Sequence, residues 1–129
     1  SSCPVGWHLP KDYEWERLAQ YITNSNELNG KIVREDWDFW ADVATYLKSK
    51  NGWDYNKNGN DFYKFSGVAG GFKHHAGDFA SFGIYGFYWS SSEFSSSNAC
   101  FWRLGSRENS LDHVNNGMDG GLSVRCVKN

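Results

Sequence analysis

The amino-acid sequence predicts one α+β domain over residues 1–129, and three observations support this prediction. Two stretches in the first half have apolar residues at helical spacing, and the last third alternates apolar and polar residues as half-buried strands do. Cysteines lie close to both ends, at Cys3 and Cys126. A chain of this length buries roughly two thirds of its unfolded surface, so one core is expected.

Two helices are predicted, over residues 12–23 and 37–49. Each contains apolar residues at positions i, i+3, i+4 and i+7, a spacing typical of a helix with one buried face. The first stripe consists of Trp15, Leu18, Ala19 and Ile22, and the second of Trp40, Val43, Ala44 and Leu47. Asn51-Gly52 is predicted to end the second helix, because glycine adopts the left-handed conformation common at helix ends.

Strands are predicted over residues 87–92, 99–104 and 122–127. Residues 93–98 and 115–121 are rich in serine, asparagine or glycine and are predicted turns. The last third would therefore form a small antiparallel sheet. Along residues 99–104 aromatic side chains point to both faces, so this strand is either internal or exposes a ring for binding.

The two ends of the chain are predicted to meet. Cys3 lies in a short extended run, and Cys126 lies in the final predicted strand. A Cys3–Cys126 disulfide would close nearly the whole chain into one loop and would indicate an exported protein. Three reduced thiols in a cytosolic protein remain the alternative, because an odd number of cysteines leaves one thiol over. Cys100, between large aromatic residues, is interpreted as a buried small hydrophobe.

No regular period persists between residues 53 and 88. Glycines recur there among phenylalanine and tyrosine residues. The stretch is too long for a plain connector and too aromatic for disorder. We therefore expect a functional looped region packed by its own rings.

Composition excludes two classes of partner. The 13 basic and 15 acidic residues give a net charge of −2 without a basic stripe, so nucleic acid is not expected as a partner. No apolar run approaches the ~20 residues of a membrane span, so membrane insertion is not expected. The chain opens at Ser1-Ser2 without a signal peptide, and we interpret it as a mature fragment or excised module of a larger exported protein.

Four motifs occur in order along nearly the whole chain. They are Cys3-Pro4-Val5-Gly6-Trp7-His8-Leu9-Pro10 followed by Glu14-Trp15, then Phe65-Ser66-Gly67-Val68-Ala69-Gly70-Gly71-Phe72, then Tyr88-Trp89-Ser90-Ser91-Ser92-Glu93, and finally Ser123-Val124-Arg125-Cys126-Val127. Together they resemble the Fibrobacter succinogenes major paralogous domain, which is placed in the C-type-lectin-like superfamily.

This resemblance implies a C-type-lectin-like fold, in which the terminal strands pair, two helices flank a small antiparallel sheet and a long irregular loop region lies opposite the termini. It also implies a secreted or cell-surface bacterial protein. The spacing from Leu9-Pro10 to Glu14-Trp15 is similar to the helix-opening motif of formylglycine-generating enzymes, which share that fold. Lys11 stands where that motif is expected to have threonine.

Residues 54–61 contain a candidate calcium loop. Oxygen-bearing side chains alternate there, with Gly59 at the sixth position, as in the first half of an EF-hand loop. The candidate ligands are Asp54, Asn56, Asn58, Asn60 and Asp61. Phe65 occupies the twelfth position and cannot supply the bidentate carboxylate, so a polar turn without an ion remains the alternative.

Ligand binding is predicted at the loops and at the edge of the C-terminal sheet. In related C-type-lectin-like proteins this region forms the ligand face, and amphipathic rings beside polar side chains suit a glycan surface. The candidate ligand-binding residues are Trp53, Phe94, Trp102, Arg103, Arg107, Asn109, Asp112, His113, Asn115 and Asn116. An ordinary solvated loop remains the alternative for residues 106–116.

Signals for catalysis are weak. Adjacent residues of an extended backbone point to opposite faces, so His74-His75 is a poor chelating pair. Cys100 has no basic neighbour in the sequence to activate its thiol. We therefore interpret the domain as a non-enzymatic extracellular recognition or adhesion module for a glycan or protein. An enzyme related to the formylglycine-generating group and a structural assembly module of a surface fibre or pilus are the alternatives.

Overall fold

The computed structural model describes residues 3–35, 37–73, 79–93, 99–115 and 123–129. These residues form a small mixed structure with mostly strands and few helices. In chain order the elements are β1 (Trp7–His8), α1 (Asp12–Ser25), β2 (Lys31–Val33), β3 (Trp37–Trp40), α2 (Ala44–Leu47), a 3-10 helix (Asp54–Asn56), β4 (Phe72–Lys73), β5 (Phe79–Ala80), β6 (Tyr85–Glu93), β7 (Ala99–Gly105), β8 (Leu111–Asn115) and β9 (Val127–Lys128).

The largest sheet has five antiparallel strands in the order β2-β3-β8-β7-β6. Strand β8 is therefore its centre, bonded to β3 on one side and to β7 on the other. Two smaller sheets, β1-β9 and β4-β5, have two strands each. The predictions of strands at residues 87–92 and 99–104 are confirmed by β6 and β7. Of the predicted turn over residues 93–98, Glu93 ends β6 and residues 94–98 lie outside the described residues, as do residues 116–122.

Helix α1 confirms the first predicted helix. The carboxylate of Glu14 accepts a hydrogen bond from the backbone N–H of Lys11, which supports the helix start. Three residues of the predicted stripe, Trp15, Ala19 and Ile22, are buried.

The second predicted helix is wrong over most of its length. Residues 37–40 form β3, which pairs with β2 and β8, and the helix that follows is only the single turn α2. Trp37, Phe39 and Trp40 are aromatic residues that favour strands once neighbouring strands are available. The apolar residues of the predicted stripe from Trp40 to Leu47 are buried as expected. However, Trp40 belongs to strand β3, whereas Ala44 and Leu47 belong to helix α2.

Strand β8 is the longest of the strands that the sequence analysis missed. Its residues Asp112 and His113 made residues 106–116 look like a polar loop. In the structure the strand pairs Leu111 with Trp40 on β3 and His113 with Trp102 on β7. Polar side chains occupy a central strand here because each has a charged partner.

One face of the five-stranded sheet and both helices share a single core. Trp102 of β7 stacks on Trp15 of α1, with ring centroids 5.8 Å apart. The buried cluster contains Trp15, Ala19, Ile22, Trp40, Val43, Ala44, Leu47, Trp53, Ala69, Tyr88, Trp102, Leu104 and Leu111. The expectation that two helices flank the sheet is therefore not clearly met, since both helices pack into the same cluster.

The two ends of the chain meet, as predicted. Cys3 and Cys126 form a disulfide with a Cα–Cα distance of 5.8 Å. Trp7 and His8 of β1 pair antiparallel with Lys128 and Val127 of β9. The alternative of three reduced thiols is thus not the state described by the structure.

The final strand is shorter than the predicted run of residues 122–127. Strand β9 begins only at Val127, and Val124 is exposed instead of facing inward. Ser123 makes an isolated parallel bridge with Tyr88. The alternating pattern was therefore a poor guide to the length of this strand.

The looped region between residues 53 and 88 is confirmed in its irregular character. It contains the 3-10 helix, β4 and β5, and β6 begins at Tyr85. Its rings pack only in part: Phe65 contacts Trp15 and Tyr88 edge-on, with centroids 5.9 and 5.7 Å away, whereas Phe62 and Phe82 are exposed. In the described ranges, no helix has the length and hydropathy needed to cross a membrane.

Removal of the Cys3–Cys126 disulfide is expected to destabilise the fold strongly. The bond closes a loop with a sequence separation of 123. For such a loop the chain-entropy model gives on the order of 4–5 kcal/mol. Urea denaturation of the Cys3→Ser/Cys126→Ser variant, followed by tryptophan fluorescence, measures the loss. The reduced wild-type chain is the matched control and should lose a similar amount, whereas losses below about 1 kcal/mol in both would contradict the assignment.

Candidate functional site

Four of the predicted ligand-binding residues lie in the interior, and Trp53, described below, is one of them. Trp102 is fully buried, and Asp112 and His113 are almost fully buried. They cannot present their side chains to a ligand at the surface, so the expected ligand face is corrected at these positions. The sequence pattern was misleading because residues 106–116 look solvated, whereas five of them form the central strand β8.

His113 lies between two carboxylates. Its Nε2 is 2.9 Å from Oδ2 of Asp12, and its Nδ1 is 2.9 Å from Oδ1 of Asp38. Burial lowers the pKa of His113, but the hydrogen bonds and negative charges of Asp12 and Asp38 outweigh it, so the pKa is raised. The ring therefore favours the imidazolium form, which donates an N–H to each carboxylate.

Asp12, the first residue of α1, collects several donors. The indole Nε1 of Trp102 donates to its Oδ1 over 3.0 Å. Burial raises the pKa of Asp12, but the hydrogen bonds from His113, Ser90 and Trp102 hold the pKa well below its usual range. Trp102 also stacks on the His113 ring, with centroids 4.6 Å apart. The Trp102 ring thus supports a charge network inside the domain.

The network continues towards the surface through Lys31. Its ammonium lies 3.3 Å from Oδ2 of Asp38 and 2.8 Å from Oε1 of Glu16. Charges therefore alternate in sign from Glu16 to Asp12. This arrangement compensates each buried charge with a neighbour of opposite sign.

Arg103 of β7 and Asp112 of β8 form another ion pair, across these two neighbouring strands. Nε and Nη2 of Arg103 both lie 2.9 Å from Oδ2 of Asp112, whose other oxygen accepts from the Ser110 hydroxyl over 2.7 Å. The Arg103 guanidinium also lies over the Tyr85 ring. These contacts hold the Arg103 side chain against its own sheet. They do not confirm that Arg103 binds a ligand.

Cys100 is buried next to Asp12, as the sequence analysis expected for a small interior residue. Burial raises the pKa of its thiol to about 12, and the Asp12 carboxylate adds to the rise. The thiolate is the nucleophilic form of cysteine, so Cys100 is a poor nucleophile in this state.

An exposed surface lies where β6 begins and β7 ends. We call it the loop-end surface and define it by Tyr55, Phe82, Arg107 and Asn109. Nη2 of Arg107 donates to the Tyr55 hydroxyl over 2.8 Å, and the guanidinium carbon lies 4.8 Å from the ring centroid. Tyr55 is 57% exposed and Phe82 is 77% exposed. Arg107 and Asn109, both predicted ligand-binding residues, are exposed here.

Buried contacts hold the loop-end surface in place. Trp53 is buried and its indole Nε1 donates to the carbonyl of Gly67 over 3.0 Å. The backbone N–H of Asp54 donates to the carbonyl of Gly83, which joins the segment of Tyr55 to that of Phe82. Trp53 therefore supports the surface from below and is corrected as a ligand-contacting residue.

Lys48 is a fully buried cation that ties two of these loops together. Its Nζ donates to the carbonyls of Glu108, over 2.7 Å, and Lys57, over 3.3 Å. It also lies 5.1 Å from the centroid of the Trp53 ring. Burial, with a smaller contribution from the charge of Lys57, lowers the pKa of Lys48 to about 8.

Several loop residues adopt the left-handed backbone region. Tyr55 and Asn56 have φ angles of 59° and 54°, and Ser81, next to Phe82, has a φ angle of 60°. Residues other than glycine adopt this conformation only when surrounding contacts impose it, and they are often found at functional sites. Here the contacts are those of Trp53, Asp54 and Lys48.

The candidate calcium residues act mainly as turn caps. Oδ1 of Asn58 accepts from the Trp53 N–H over 2.9 Å, Oδ1 of Asn60 from the Phe62 N–H over 3.0 Å, and Oδ1 of Asp61 from the Ser66 N–H over 2.7 Å. Asp54 lies against Gly83, and Asn56 is exposed at the tip. Calcium binding stays a prediction.

The ligand-binding prediction stays untested at Phe94, Asn115 and Asn116. Phe94, Asn116 and the pair His74-His75 lie outside the described residues. The backbone of Asn115 pairs with that of Cys100 in the ladder between β7 and β8.

The sequence analysis missed Tyr55, Phe82 and a groove beside the disulfide. The groove has a volume of about 400 Å³ and is lined by Pro10, Glu14, Trp15, Arg17, Leu18, Phe65, Arg125, Cys126 and Val127. The guanidinium of Arg125 lies 4.4 Å from the Phe65 ring centroid. Nothing in the local pattern separates the exposed rings from the buried ones, since all lie in the same aperiodic stretch.

These features define a disulfide-closed, mostly β domain with a buried ion-pair network and an ordered loop-end surface. The family model of the Fibrobacter succinogenes major domain matches residues 1–128, and the chain belongs to this family. No curated protein and no solved structure matched the chain.

Replacement of His113 by leucine is expected to lower the free energy of unfolding by about 3 kcal/mol, the lower end for breaking a buried ion pair. Two partly buried carboxylates lose their shared cation, while Asp38 keeps Lys31. His8→Leu is the matched control. His8 also contacts a carboxylate, that of Glu14, over 2.9 Å, but its side chain is exposed to solvent. Urea denaturation should show a much smaller loss for His8→Leu, and equal losses would contradict the central role of His113.

Lys48 is expected to make stability depend on pH between about 8 and 10.5. Its pKa falls from an ordinary value of 10.5 to about 8 on folding, so the unfolded chain binds more protons in this window. The contribution of Lys48 to the free energy of unfolding is therefore complete above pH 10.5 and is lost as the pH falls through 8. The difference between wild type and Lys48→Met should change by on the order of 3 kcal/mol across the window.

Lys50→Met, at an exposed lysine, is the control for this pH dependence. It removes one lysine from the surface, so a change in urea denaturation that both variants share is not due to the burial of Lys48. A flat difference for Lys48→Met would show that the Lys48 ammonium is not desolvated on folding.

Proposed function

We propose that this chain is a non-enzymatic recognition module of an exported bacterial protein, and that it binds a glycan or protein ligand through the loop-end surface. The observation that carries this proposal is the arrangement of Tyr55 and Arg107. Both are exposed, they hold each other by a hydrogen bond and a cation–π contact, and buried side chains fix the loops beneath them. A surface ordered before binding loses less conformational entropy when a ligand arrives.

We also propose that the domain has a C-type-lectin-like fold. The pairing of β1 with β9, the disulfide beside it and the loops at the far end of β6 support this assignment. Ser91, late in β6, donates its backbone N–H to the carbonyl of Pro10, whereas Tyr85 begins β6 next to the loop-end surface. The termini and the loop-end surface therefore lie towards opposite ends of the same strand.

Residue chemistry favours a glycan over a protein as the ligand. Exposed tyrosine and phenylalanine rings can stack on the apolar face of a sugar. Arg107 and Asn109 add donors and acceptors for hydroxyl groups. A calcium ion at residues 54–61 would lie beside this surface, so the binding assay includes an arm with chelator.

Export is supported by the disulfide, because such bonds persist in oxidising compartments.

An enzyme of the formylglycine-generating kind would need a reactive thiol, and the raised pKa of Cys100 does not favour that alternative. No observation favours a structural assembly module over a recognition module.

Tyr55→Ala and Arg107→Ala are each expected to weaken ligand binding at least tenfold, because each removes half of the exposed pair. A glycan array and bacterial or plant polysaccharides, tested with added calcium and with chelator, supply the ligands. Loss of binding in chelator would support the calcium loop, and unchanged binding would leave residues 54–61 an ordinary turn.

Tyr13→Ala and Arg17→Ala are the matched controls for this experiment. They remove another exposed pair, in which the Arg17 guanidinium carbon lies 5.8 Å from the Tyr13 ring centroid on α1. Binding should survive these substitutions. Binding lost with Arg17→Ala but kept with Arg107→Ala would instead place the ligand at the groove beside the disulfide.

A further inference from the structure

Three side chains with different metal-ligating atoms converge at the start of α1. A carboxylate oxygen of Asp12, the Sγ of Cys100 and a ring nitrogen of His113 all lie within 4.8 Å of one another. Among the described residues, this is the one such group of three. Its members are far apart in the sequence, since they are the first residue of α1, a residue of β7 and a residue of β8.

The sheet brings these residues to one face. Trp102 pairs directly with His113, so Cys100, two residues earlier in β7, lies diagonally across from His113. Asp12 approaches the same face because Trp102 donates to its carboxylate and Ser92 accepts from its backbone N–H over 2.9 Å. The convergence therefore follows from strand register and from the position at which α1 begins.

Imidazole nitrogen, thiolate sulfur and carboxylate oxygen form a ligand set suited to zinc and to similar borderline divalent ions. With bonds of 2.0–2.3 Å, ligand atoms around a tetrahedral ion lie roughly 3.3–3.7 Å apart. Nε2 of His113 and Oδ2 of Asp12 are 2.9 Å apart here. An ion could replace the proton between them after a shift of less than about 1 Å.

His113 and Asp12 each have a further hydrogen-bond partner that would orient them as metal ligands. The second nitrogen of His113, Nδ1, lies 2.9 Å from Oδ1 of Asp38. A carboxylate on the far side of a ligating imidazole fixes its tautomer and raises its basicity. The indole N–H of Trp102 orients the Asp12 carboxylate in the same way.

We propose that Asp12, Cys100 and His113 bind one zinc-class divalent cation, with Asp38 and Trp102 as the outer partners that orient His113 and Asp12. This site is separate from the loop-end surface and does not depend on the proposed recognition function. A water molecule supplies the fourth ligand.

The binding step balances in protons and in charge. The cation displaces one proton from Nε2 of the His113 imidazolium and one from the Cys100 thiol, and both protons go to solvent. Asp12 is already a carboxylate. The net charge of the three side chains is zero before binding, and that of the side chains with the ion is zero afterwards, so the buried network gains no uncompensated charge.

The Asp12 side chain gives the site its contact with solvent. It is 23% exposed, whereas His113 is 11% exposed and Cys100 is buried. An ion can therefore reach the carboxylate first and the two deeper ligands afterwards.

Cobalt(II) titration of the full chain tests this proposal, because its spectrum reports both ligand type and geometry. His74 and His75 are replaced by glutamine in every sample, so that cobalt bound by these adjacent histidines does not contribute to the spectrum. Bound cobalt is expected to show the intense visible bands of tetrahedral coordination and a near-ultraviolet thiolate-to-metal charge-transfer band. Cys100 is the one cysteine outside the disulfide, so that band identifies it. Zinc added afterwards should abolish both signals.

Cys100→Ala should remove the charge-transfer band and weaken cobalt binding at least tenfold, and Asp12→Asn should weaken binding to a similar degree. His8→Gln is the matched control, since His8 contacts Glu14 and Asn129 away from the site, and it should leave the spectrum unchanged. Circular dichroism verifies that each variant is folded.

The titration of the chain that carries only the His74→Gln and His75→Gln substitutions decides the question even if a further variant does not fold. Weak octahedral bands without a charge-transfer band would overturn the proposal. An unchanged cobalt affinity in folded Cys100→Ala would also overturn it, because the ion would then be bound elsewhere.

Discussion

The rest of the structure depends on the two ion pairs that His113 makes with Asp12 and Asp38. His113 lies in the central strand of the sheet, Asp38 lies in the neighbouring strand, and Asp12 begins α1. A one-residue slip of either strand would move these side chains to the opposite face and leave buried charges without partners. The ion pairs therefore couple strand register to helix position. They also explain why a strand with two ionisable residues can occupy the middle of the sheet.

Around this centre, the two ends of the domain are stabilised by different means. At one end the Cys3–Cys126 disulfide and the β1-β9 pair close the chain. At the other end Lys48 and Trp53 bind loop backbone from the inside. The closed end leaves the chain termini together, and the other end displays Tyr55 and Arg107 on an ordered base. This division supports the proposed role of the domain as a module that presents one surface to a ligand.

Local patterns predicted those parts of the fold in which side chains make local or repetitive contacts. Helix α1, strands β6 and β7 and the meeting of the chain ends were all predicted. The prediction was wrong for residues 37–40, because a helical stripe and a strand can bury the same side chains. It missed β8 because Asp112 and His113 are polar, and their burial depends on Arg103, Asp12 and Asp38, which no nearby residue reveals. The candidate site was mispredicted for the same reason, because burial depends on distant residues. Trp53 and Trp102 were expected to contact a ligand at the surface, but both are buried.

The sequence by itself determined the apolar stripe of α1 and the family to which the chain belongs, and it predicted the pairing of the terminal cysteines. These features depend on residue identity and spacing along the chain. Only the tertiary structure decided which aromatic rings are exposed and which charges are paired. Trp102 is buried and Tyr55 is exposed because of neighbours that come from distant segments. The convergence of Asp12, Cys100 and His113 likewise requires α1, β7 and β8 to be assembled, because no short motif places these three residues together.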